Sequence, residues 1–140
     1  MENENSDRIN ANETKMQGYS SSTSDIDMTI VASVVLDGSG SEITTGIKAD
    51  LLIPYTCIIN RASLLADQTG DIAVDVWIDS YANFPPTDAD SKITPEISSD
   101  DKYQSGTLSI PVSKNSVIRF NVDSCSTITR CLISLEAVKK

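Results

Sequence analysis

The stretch of sequence that decides the fold is DIAVDVWID, residues 71–79. Ile72, Val74, Val76 and Ile78 occupy every second position, with acidic, small or aromatic residues between them. Because successive side chains of a β-strand point to opposite faces, this spacing predicts a strand with one apolar and one polar face. The β-branched residues on the apolar face favour the same interpretation.

Similar short apolar segments lie on both sides of this strand, separated by Gly, Pro, Ser and Asp at intervals of roughly 8 to 12 residues. Beyond 71–79, we expect strands at residues 30–36, 46–53, 55–66, 107–112, 117–122 and 128–138. The glycines of Asp37-Gly38-Ser39-Gly40 permit a tight turn after the first. This pattern predicts an all-β fold, an antiparallel two-sheet sandwich, jelly-roll-like, with about seven or eight strands.

Four of these segments carry finer predictions. In 46–53 the alternation places Ile47, Ala49, Leu51 and Ile53 on one apolar face. Residues 107–112 and 117–122 are expected to form a hairpin around Ser113-Lys114-Asn115. In the last strand, the side chains expected on the inner face are Cys131, Ile133 and Leu135.

Two regions depart from the strand pattern. Residues 1–28 are polar and acidic with few large apolar side chains, so we expect an N-terminal tail that is disordered or docks on a partner. Residues 29–140 then form a single β-sandwich knob domain. Residues 80–106 contain Pro85, Pro86 and Pro95 and are expected to form a long irregular loop, a kind of segment that often carries function.

Composition excludes several classes of chemistry. The 140 residues include no histidine, so Ser/His/Asp and Cys/His nucleophilic sites and His-ligated zinc cannot be built in their usual form. The formal net charge of −9 opposes nucleic-acid binding, which needs clustered Lys and Arg. We therefore expect no enzymatic activity, no cofactor and no nucleic-acid partner.

The apolar runs, the N-terminus and the cysteines indicate where in the cell the chain folds. No apolar run approaches the roughly 20 residues of a membrane span, and the N-terminus lacks a signal-peptide pattern, so we expect the chain to fold where it is made. The three cysteines, Cys57, Cys125 and Cys131, are odd in number and lack CxxC spacing. This usage fits a reducing cytosol better than a disulfide framework.

Acidic side chains provide the first candidate site. Asp71, Asp75 and Asp79 share one face of their predicted strand, but successive carboxylates stand about 13 Å apart at roughly 3.3 Å per residue, too far to share one calcium ion. A solvent-facing charged stripe is the favoured interpretation, and no metal site is predicted there. Looser acidic clusters, Asp88 with Asp90 and Asp100 with Asp101, lie in the long loop, where oxygen ligands from different turns could meet around a calcium ion.

Aromatic side chains provide the second candidate site. Trp77, Tyr81, Phe84 and Tyr103 lie in or after the acidic strand, and exposed aromatics beside polar groups can bind sugars by stacking and hydrogen bonding. Packing in the core or at an interface is the alternative interpretation. Because Trp77 points away from the Ile/Val face, a loop or a second subunit must cover it, and we expect a subunit.

Two longer segments carry a family resemblance. They are GIKADLLIPYTCIINRASLLADQTGDIAVDVWIDSYANFPPTDAD, residues 46–90, and VIRFNVDSCSTITRCLISL, residues 117–135. Together they resemble a β-sandwich domain of virion structural proteins of tailed bacteriophages, of the head or tail fibre or decoration type. Its markers include Ile53-Pro54, Val74-Asp75-Val76-Trp77 and Pro85-Pro86-Thr87-Asp88.

The resemblance implies a non-enzymatic virion component without a catalytic residue set. It implies a homotrimer that contacts other capsid or tail proteins, assembled in the host cytoplasm and located in the virion. The tail would dock on the particle and the sandwich would project outward. The alternative is a receptor or glycan-binding module that attaches to the host surface through Trp77, Tyr81, Phe84 or Tyr103.

Overall fold

The structure, a computed structural model, describes residues 28–98 and 101–140. The strands in these residues are β1 Met28–Asp37, β2 Gly46–Ile53, β3 Cys57–Ala66, β4 Asp71–Ser80, β5 Ser91–Ile93, β6 Glu96–Ile97, β7 Tyr103–Val112, β8 Ser116–Ser126 and β9 Arg130–Lys139. Two single-turn 3₁₀ helices, Tyr81–Asn83 and Asp88–Asp90, precede β5. Except for Met28, the predicted N-terminal tail lies outside the described residues, as does Asp100.

The strands form two antiparallel sheets. The four-stranded sheet has the order β1-β9-β3-β7, and the five-stranded sheet has the order β2-β8-β4-β5 with β6 also paired to β4. Apart from β4, β5 and β6, consecutive strands alternate between the sheets. With β5 and β6 sharing one edge position, this is the strand order of a jelly roll. The predicted all-β, two-sheet sandwich is confirmed.

The inner faces of the two sheets bury one continuous apolar core. The alternation that predicted β4 holds, because Ile72, Val74, Val76 and Ile78 are all buried in that core. Phe120 of β8 is the largest fully buried side chain among the described residues. The side chains predicted inside β9 are also buried, namely Cys131, Ile133 and Leu135.

The predicted hairpin between residues 107–112 and 117–122 is wrong. β7 pairs with β3 in the four-stranded sheet, whereas β8 pairs with β2 and β4 in the other sheet. The connection at residues 113–115 crosses between sheets, and Asn115 takes a positive φ of 64° there. The Asn115 N–H donates to the Ile53 carbonyl at 2.8 Å, which fixes the crossing to the end of β2.

A β-bulge corrects the predicted apolar face of β2. The β2–β8 register shifts between Ile47 and Ala49, so Ile47 lies opposite Asn121 while Ala49 lies opposite Phe120. Because the extra residue reverses the alternation, Ala49, Leu51 and Ile53 point inward but Ile47 is 53% exposed. Ile47 therefore belongs to the outer face of the five-stranded sheet.

A second register shift, between Ile59 and Arg61, changes the faces on which the side chains of β3 lie. The shift leaves Asn60 as the extra residue against β9. It lets Ile59 and Ala62, three positions apart, both point into the core. Arg61 then points outward, where it meets Glu136 of β9 at 3.4 Å.

The turn after β1 forms as its glycines predict. Gly40 has a φ of +84°, and Ser39 donates its N–H to Asp37 Oδ1 at 2.9 Å. Gly38 approaches the Ser41 carbonyl so closely that a Cβ atom at position 38 would overlap it. Glycine is therefore required at position 38 by space and favoured at position 40 by conformation.

Asp67 joins the β3–β4 turn to the start of β9. Its carboxylate accepts hydrogen bonds from Thr129 Oγ1 at 2.5 Å, from the Thr129 N–H at 3.2 Å and from the Arg130 N–H at 3.1 Å. Hydrogen bonding, chiefly from the Thr129 hydroxyl, lowers the pKa of Asp67 below its ordinary value. The ionised form of Asp67 thus stabilises this junction.

The two phenylalanines of the chain give a matched test of the core. Replacing Phe120 with Ala removes a fully buried ring, so we expect the free energy of unfolding to fall by about 3–5 kcal/mol. Phe84 is exposed and stacks on Arg119, so Phe84→Ala should cost about 1 kcal/mol or less. Urea denaturation of both variants checks this, and equal losses would contradict the assignment of Phe120 to the core.

The Asp67 junction predicts a pH dependence. Because the pKa of Asp67 is lower in the folded than in the unfolded chain, its contribution is present above the unfolded value near 3.9 and is lost as pH falls through the folded value. Asp67→Asn should therefore lower stability at neutral pH and flatten its fall in acid. Thr129→Val should have an intermediate effect, since the backbone donors remain. Thermal unfolding between pH 7 and about 3 measures this, and an unchanged profile in Asp67→Asn would refute it.

Candidate interaction surfaces

Residues 81–98 cover the part of the five-stranded sheet's outer face that β4 forms, whereas Ile47 and Leu52 of β2 stay exposed on the same face. The 3₁₀ helix Asp88–Asp90 packs on β4, and the Val74 N–H donates to the Pro95 carbonyl at 3.0 Å. This segment is not wholly irregular as predicted, since it contains both 3₁₀ helices and strands β5 and β6. The segment therefore covers the polar face of β4.

Asp75 is the polar anchor of this cover. Its carboxylate is only 4% exposed and accepts hydrogen bonds from Ser91 Oγ at 2.5 Å and Thr94 Oγ1 at 3.2 Å. The predicted solvent-facing stripe is therefore wrong at its central residue. A buried carboxylate needs such donors, so the two hydroxyls explain how Asp75 is tolerated below the segment that supplies them.

Trp77 lies beside Asp75 on the same face and is also covered by its own chain. It is 8% exposed, pairs with Ser91 of β5 and has a buried Nε1 without a hydrogen-bond partner among the described residues. This placement corrects the expectation that a second subunit covers Trp77. Trp77 contributes apolar bulk under the segment, where neither a sugar nor a partner protein reaches it.

Phe84 and Arg119 form an exposed stack next to Trp77. The Arg119 guanidinium lies 5.5 Å from the Phe84 ring centre and binds both oxygens of Asp50, at 2.7 and 2.9 Å. This bidentate pairing raises the pKa of Arg119 above its ordinary value. The stack ties β2 and β8 to the start of the covering segment.

Tyr81 lines a surface recess of about 260 Å³ with Leu52 and Asn115. The Tyr81 N–H donates to the Asn115 carbonyl at 3.0 Å, and the Tyr81 ring is exposed. An exposed ring beside an amide can stack on a sugar and hydrogen-bond to it. Of the predicted aromatic residues, Tyr81 has the setting closest to a small-molecule contact.

Tyr103 lies on the opposite side of the molecule. It belongs to β7, and its register partner Leu65 also points outward from the four-stranded sheet. The four predicted aromatic residues therefore do not form one cluster: Tyr81 and Phe84 are exposed on one side, Trp77 is buried, and Tyr103 is on the other sheet. The proposed sugar contacts of the exposed residues stay a prediction.

The outer face of the four-stranded sheet, called the bare face below, carries four transverse rows of residues. The rows are Thr29–Val138–Ile58–Pro111, Val31–Glu136–Arg61–Thr107, Ser33–Ser134–Ser63–Ser105 and Val35–Leu132–Leu65–Tyr103. All of these side chains are exposed or half-buried. This arrangement has no clear marker in the sequence, because the rows form only when four distant strands align in register.

Hydrogen bonds and two ion pairs join the serine and charged side chains of the bare face to one another. Ser33 donates to Ser134 at 2.9 Å, and Ser63 and Ser105 share a hydrogen bond of 3.0 Å. Arg61 donates to Ser105 at 2.9 Å and pairs with Glu136, and Arg130 pairs with Asp37 at 3.6 Å at the end of the face. The charges of the bare face therefore cancel within it.

The cysteines and acidic clusters form no reactive centre in the described residues. Cys57, Cys125 and Cys131 are free thiols, and burial raises the pKa of Cys131 to about 11. Its thiol therefore stays protonated at neutral pH, which makes it a poor nucleophile. Within residues 28–98 and 101–140, no three His, Cys, Asp or Glu side chains are grouped closely enough to hold a metal ion.

The same part of the chain contains no helix long and apolar enough to cross a membrane.

The Asp75 anchor predicts that residues 81–98 detach when its donors are removed. The double variant Ser91→Ala/Thr94→Ala leaves a buried carboxylate without its hydroxyl partners, so unfolding free energy should fall by about 1–3 kcal/mol. Amide hydrogen exchange should accelerate most in residues 81–98. Ser124→Ala/Ser126→Ala, at exposed positions of β8, is the control. Equal exchange in the two variants would contradict the anchoring role.

Comparison with known proteins gives structural likeness only. No protein-family model and no curated protein sequence matches this chain. A chain in the acidic stable capsid structure of Helicobacter pylori bacteriophage KHP30 is similar, with a TM-score of 0.46 and 9% identity, covering 81% of this chain and 90% of that one. A chain in the structure of infectious bursal disease virus Gx strain has a TM-score of 0.26 and 12% identity, covering 81% of this chain but 34% of that one.

Proposed function

We propose that this chain is a non-enzymatic structural subunit of a bacteriophage virion, of the head or tail fibre or decoration type. The observation that carries the proposal is the contrast between the two outer sheet faces. Residues 81–98 cover the β4 part of one face, whereas within residues 28–98 and 101–140 nothing covers the largely uncharged rows of the other. The row Val35–Leu132–Leu65–Tyr103 gives this second face an exposed apolar patch, and such patches often bind other proteins.

Two further points support the proposal. Residues 46–135 resemble virion β-sandwich domains in the segments given above. The jelly roll is an architecture that viral capsid proteins use, although lectins and other proteins share it. The recess at Tyr81 suits stacking and hydrogen bonding, and its lining residues include no carboxylate, lysine or cysteine.

In this proposal, the polar segment of residues 1–28 docks on other capsid or tail proteins, and residues 29–140 project outward as a homotrimeric knob. The acidic segment has few apolar side chains, so it would bind through polar contacts or order on its partner. Particles that carry a chain beginning at Met28 test the docking. Wild-type levels of that shortened chain in purified particles would refute it.

Solution mass tests the trimer. Light scattering on a sizing column should give about three times the 15.1 kDa chain mass for the full chain and, after correction for length, for the chain that begins at Met28. A trimer formed only by the full chain would assign assembly to the N-terminal segment. Monomers in both cases would overturn the trimer.

Presence in the particle tests the structural role itself. Quantitative mass spectrometry of purified phage particles should find the chain in a fixed number of copies per particle. Its absence from particles, or a turnover activity on host polysaccharide, would overturn the proposal whatever the oligomeric state.

A second candidate function is glycan binding, favoured by the recess of Leu52, Tyr81 and Asn115. Tyr81→Ala should then abolish saturable binding to host-surface glycans. Ile47→Ala is the control, because it removes an exposed side chain from the same sheet outside the recess. Glycan-array binding that both variants retain would exclude the recess.

A further inference from the structure

We propose that copies of this chain pack against one another through the bare face. The inference deepens the structural role proposed above, on which it rests, by naming the surface and its occupant. The occupant is another copy of the same chain, with its own bare face turned inward.

Apolar area is the first argument. The row Val35–Leu132–Leu65–Tyr103 crosses all four strands, and Val35 and Leu65 are 49% and 43% exposed. Burying such a row releases water from aliphatic and aromatic surface, the usual source of interface stability. The side chains in the adjacent row of serines are small and hydrogen-bonded to one another. A second surface can therefore approach closely without burying polar groups that lack a hydrogen-bond partner.

Charge is the second argument and favours a second copy as the occupant. Two molecules of net charge −9 repel each other over most of their surfaces. The bare face is an exception, because Arg61 and Glu136 neutralise each other within it. Copies that meet there avoid like-charge contacts, which is the requirement for association of an acidic protein with itself.

Size is the third argument. Four strands spaced about 4.8 Å apart and seven to ten residues long at about 3.3 Å each present roughly 450–650 Å² per copy. Two such faces, fully opposed, together bury roughly 900–1,300 Å², at the lower limit for a specific interface. A two-fold pairing of the faces uses this area completely.

The N-terminal segment is a poorer occupant. Its large apolar side chains, such as Ile9, Met16 and Tyr19, are isolated among Asn, Ser and acidic residues. A single polar segment cannot match a surface whose apolar rows run across four strands. It would also bring unpaired carboxylates onto a neutral face.

The edge of β1 continues this surface. Residues Met28–Leu36 contain no charged residue and no proline, although β1 is an edge strand. The other long edge strands carry protective residues, Pro111 in β7 and Lys48 and Asp50 in β2. Unprotected edges pair readily with other chains, so β1 is the edge that contact between copies must cover.

The test compares two full-length variants that each add two lysines. Val35→Lys/Leu65→Lys places them on the bare face, and Ile47→Lys/Leu52→Lys places them at residues 53% and 59% exposed on the other sheet. Light scattering on a sizing column at roughly 1–100 μM measures mass. We expect the wild type and the Ile47/Leu52 variant to associate and the Val35/Leu65 variant to be monomeric.

Circular dichroism and urea denaturation show whether each variant folds. If the lysine variant of the bare face does not fold, Leu65→Ser/Tyr103→Ser replaces it, and association should weaken at least about tenfold. An unchanged mass in the folded bare-face variants, equal dissociation of both lysine variants, or a monomeric wild type would overturn the inference.

The outcomes separate this inference from the proposed function. A monomeric full chain that is present in phage particles keeps the structural role and rejects the bare face as a contact between copies. A dimer that the bare-face lysines dissociate supports the inference and rejects the trimer. Association of the chain without its presence in particles supports the contact and rejects the virion role.

Discussion

Burial of Phe120 between the sheets is the constraint on which the rest of the structure depends. Its strand, β8, lies between β2 and β4, and its register partners are Ala49 and Val76. A small residue on one side makes room for the ring, and Ile and Val side chains fill the remaining space. Because no other fully buried side chain among the described residues is as large, many strands must each contribute aliphatic groups. The polar chemistry of the chain is therefore confined to the outer faces, turns and edges.

The two outer sheet faces accommodate their polar side chains in different ways. In the five-stranded sheet, the polar side of β4 points away from the core. Residues 81–98 cover it, and Ser91 and Thr94 donate hydrogen bonds to the Asp75 carboxylate. Burial of a carboxylate is costly without donors, so the same contact that stabilises Asp75 also fixes the covering segment in place. Within the part of the chain that the structure describes, nothing comparable covers the four-stranded sheet. Its polar groups are paired within the face, as Arg61 with Glu136 shows.

The sequence predicts the interior well because alternation directly reports which side chains are buried. The period of two in 71–79 identifies β4, its core residues and the sandwich class. It fails at bulges, where one extra residue reverses the faces and turns Ile47 outward. It also fails for contacts between distant segments, since nothing near Asp75 in sequence shows that Ser91 and Thr94 bury it. The bare face was missed for the same reason: its rows exist only through the register of four strands.

The strand order alone does not identify a function, because jelly rolls serve many. The distribution of charge is more informative. A chain of net charge −9 repels its own copies. A row of small residues such as Ser33–Ser134–Ser63–Ser105, on a face whose ion pairs are neutral, has no evident structural role in an isolated molecule. In an assembled shell or fibre, the same face gives acidic subunits a place to meet without repulsion. The remaining acidic surface then keeps other encounters weak, so that association is directed to one face.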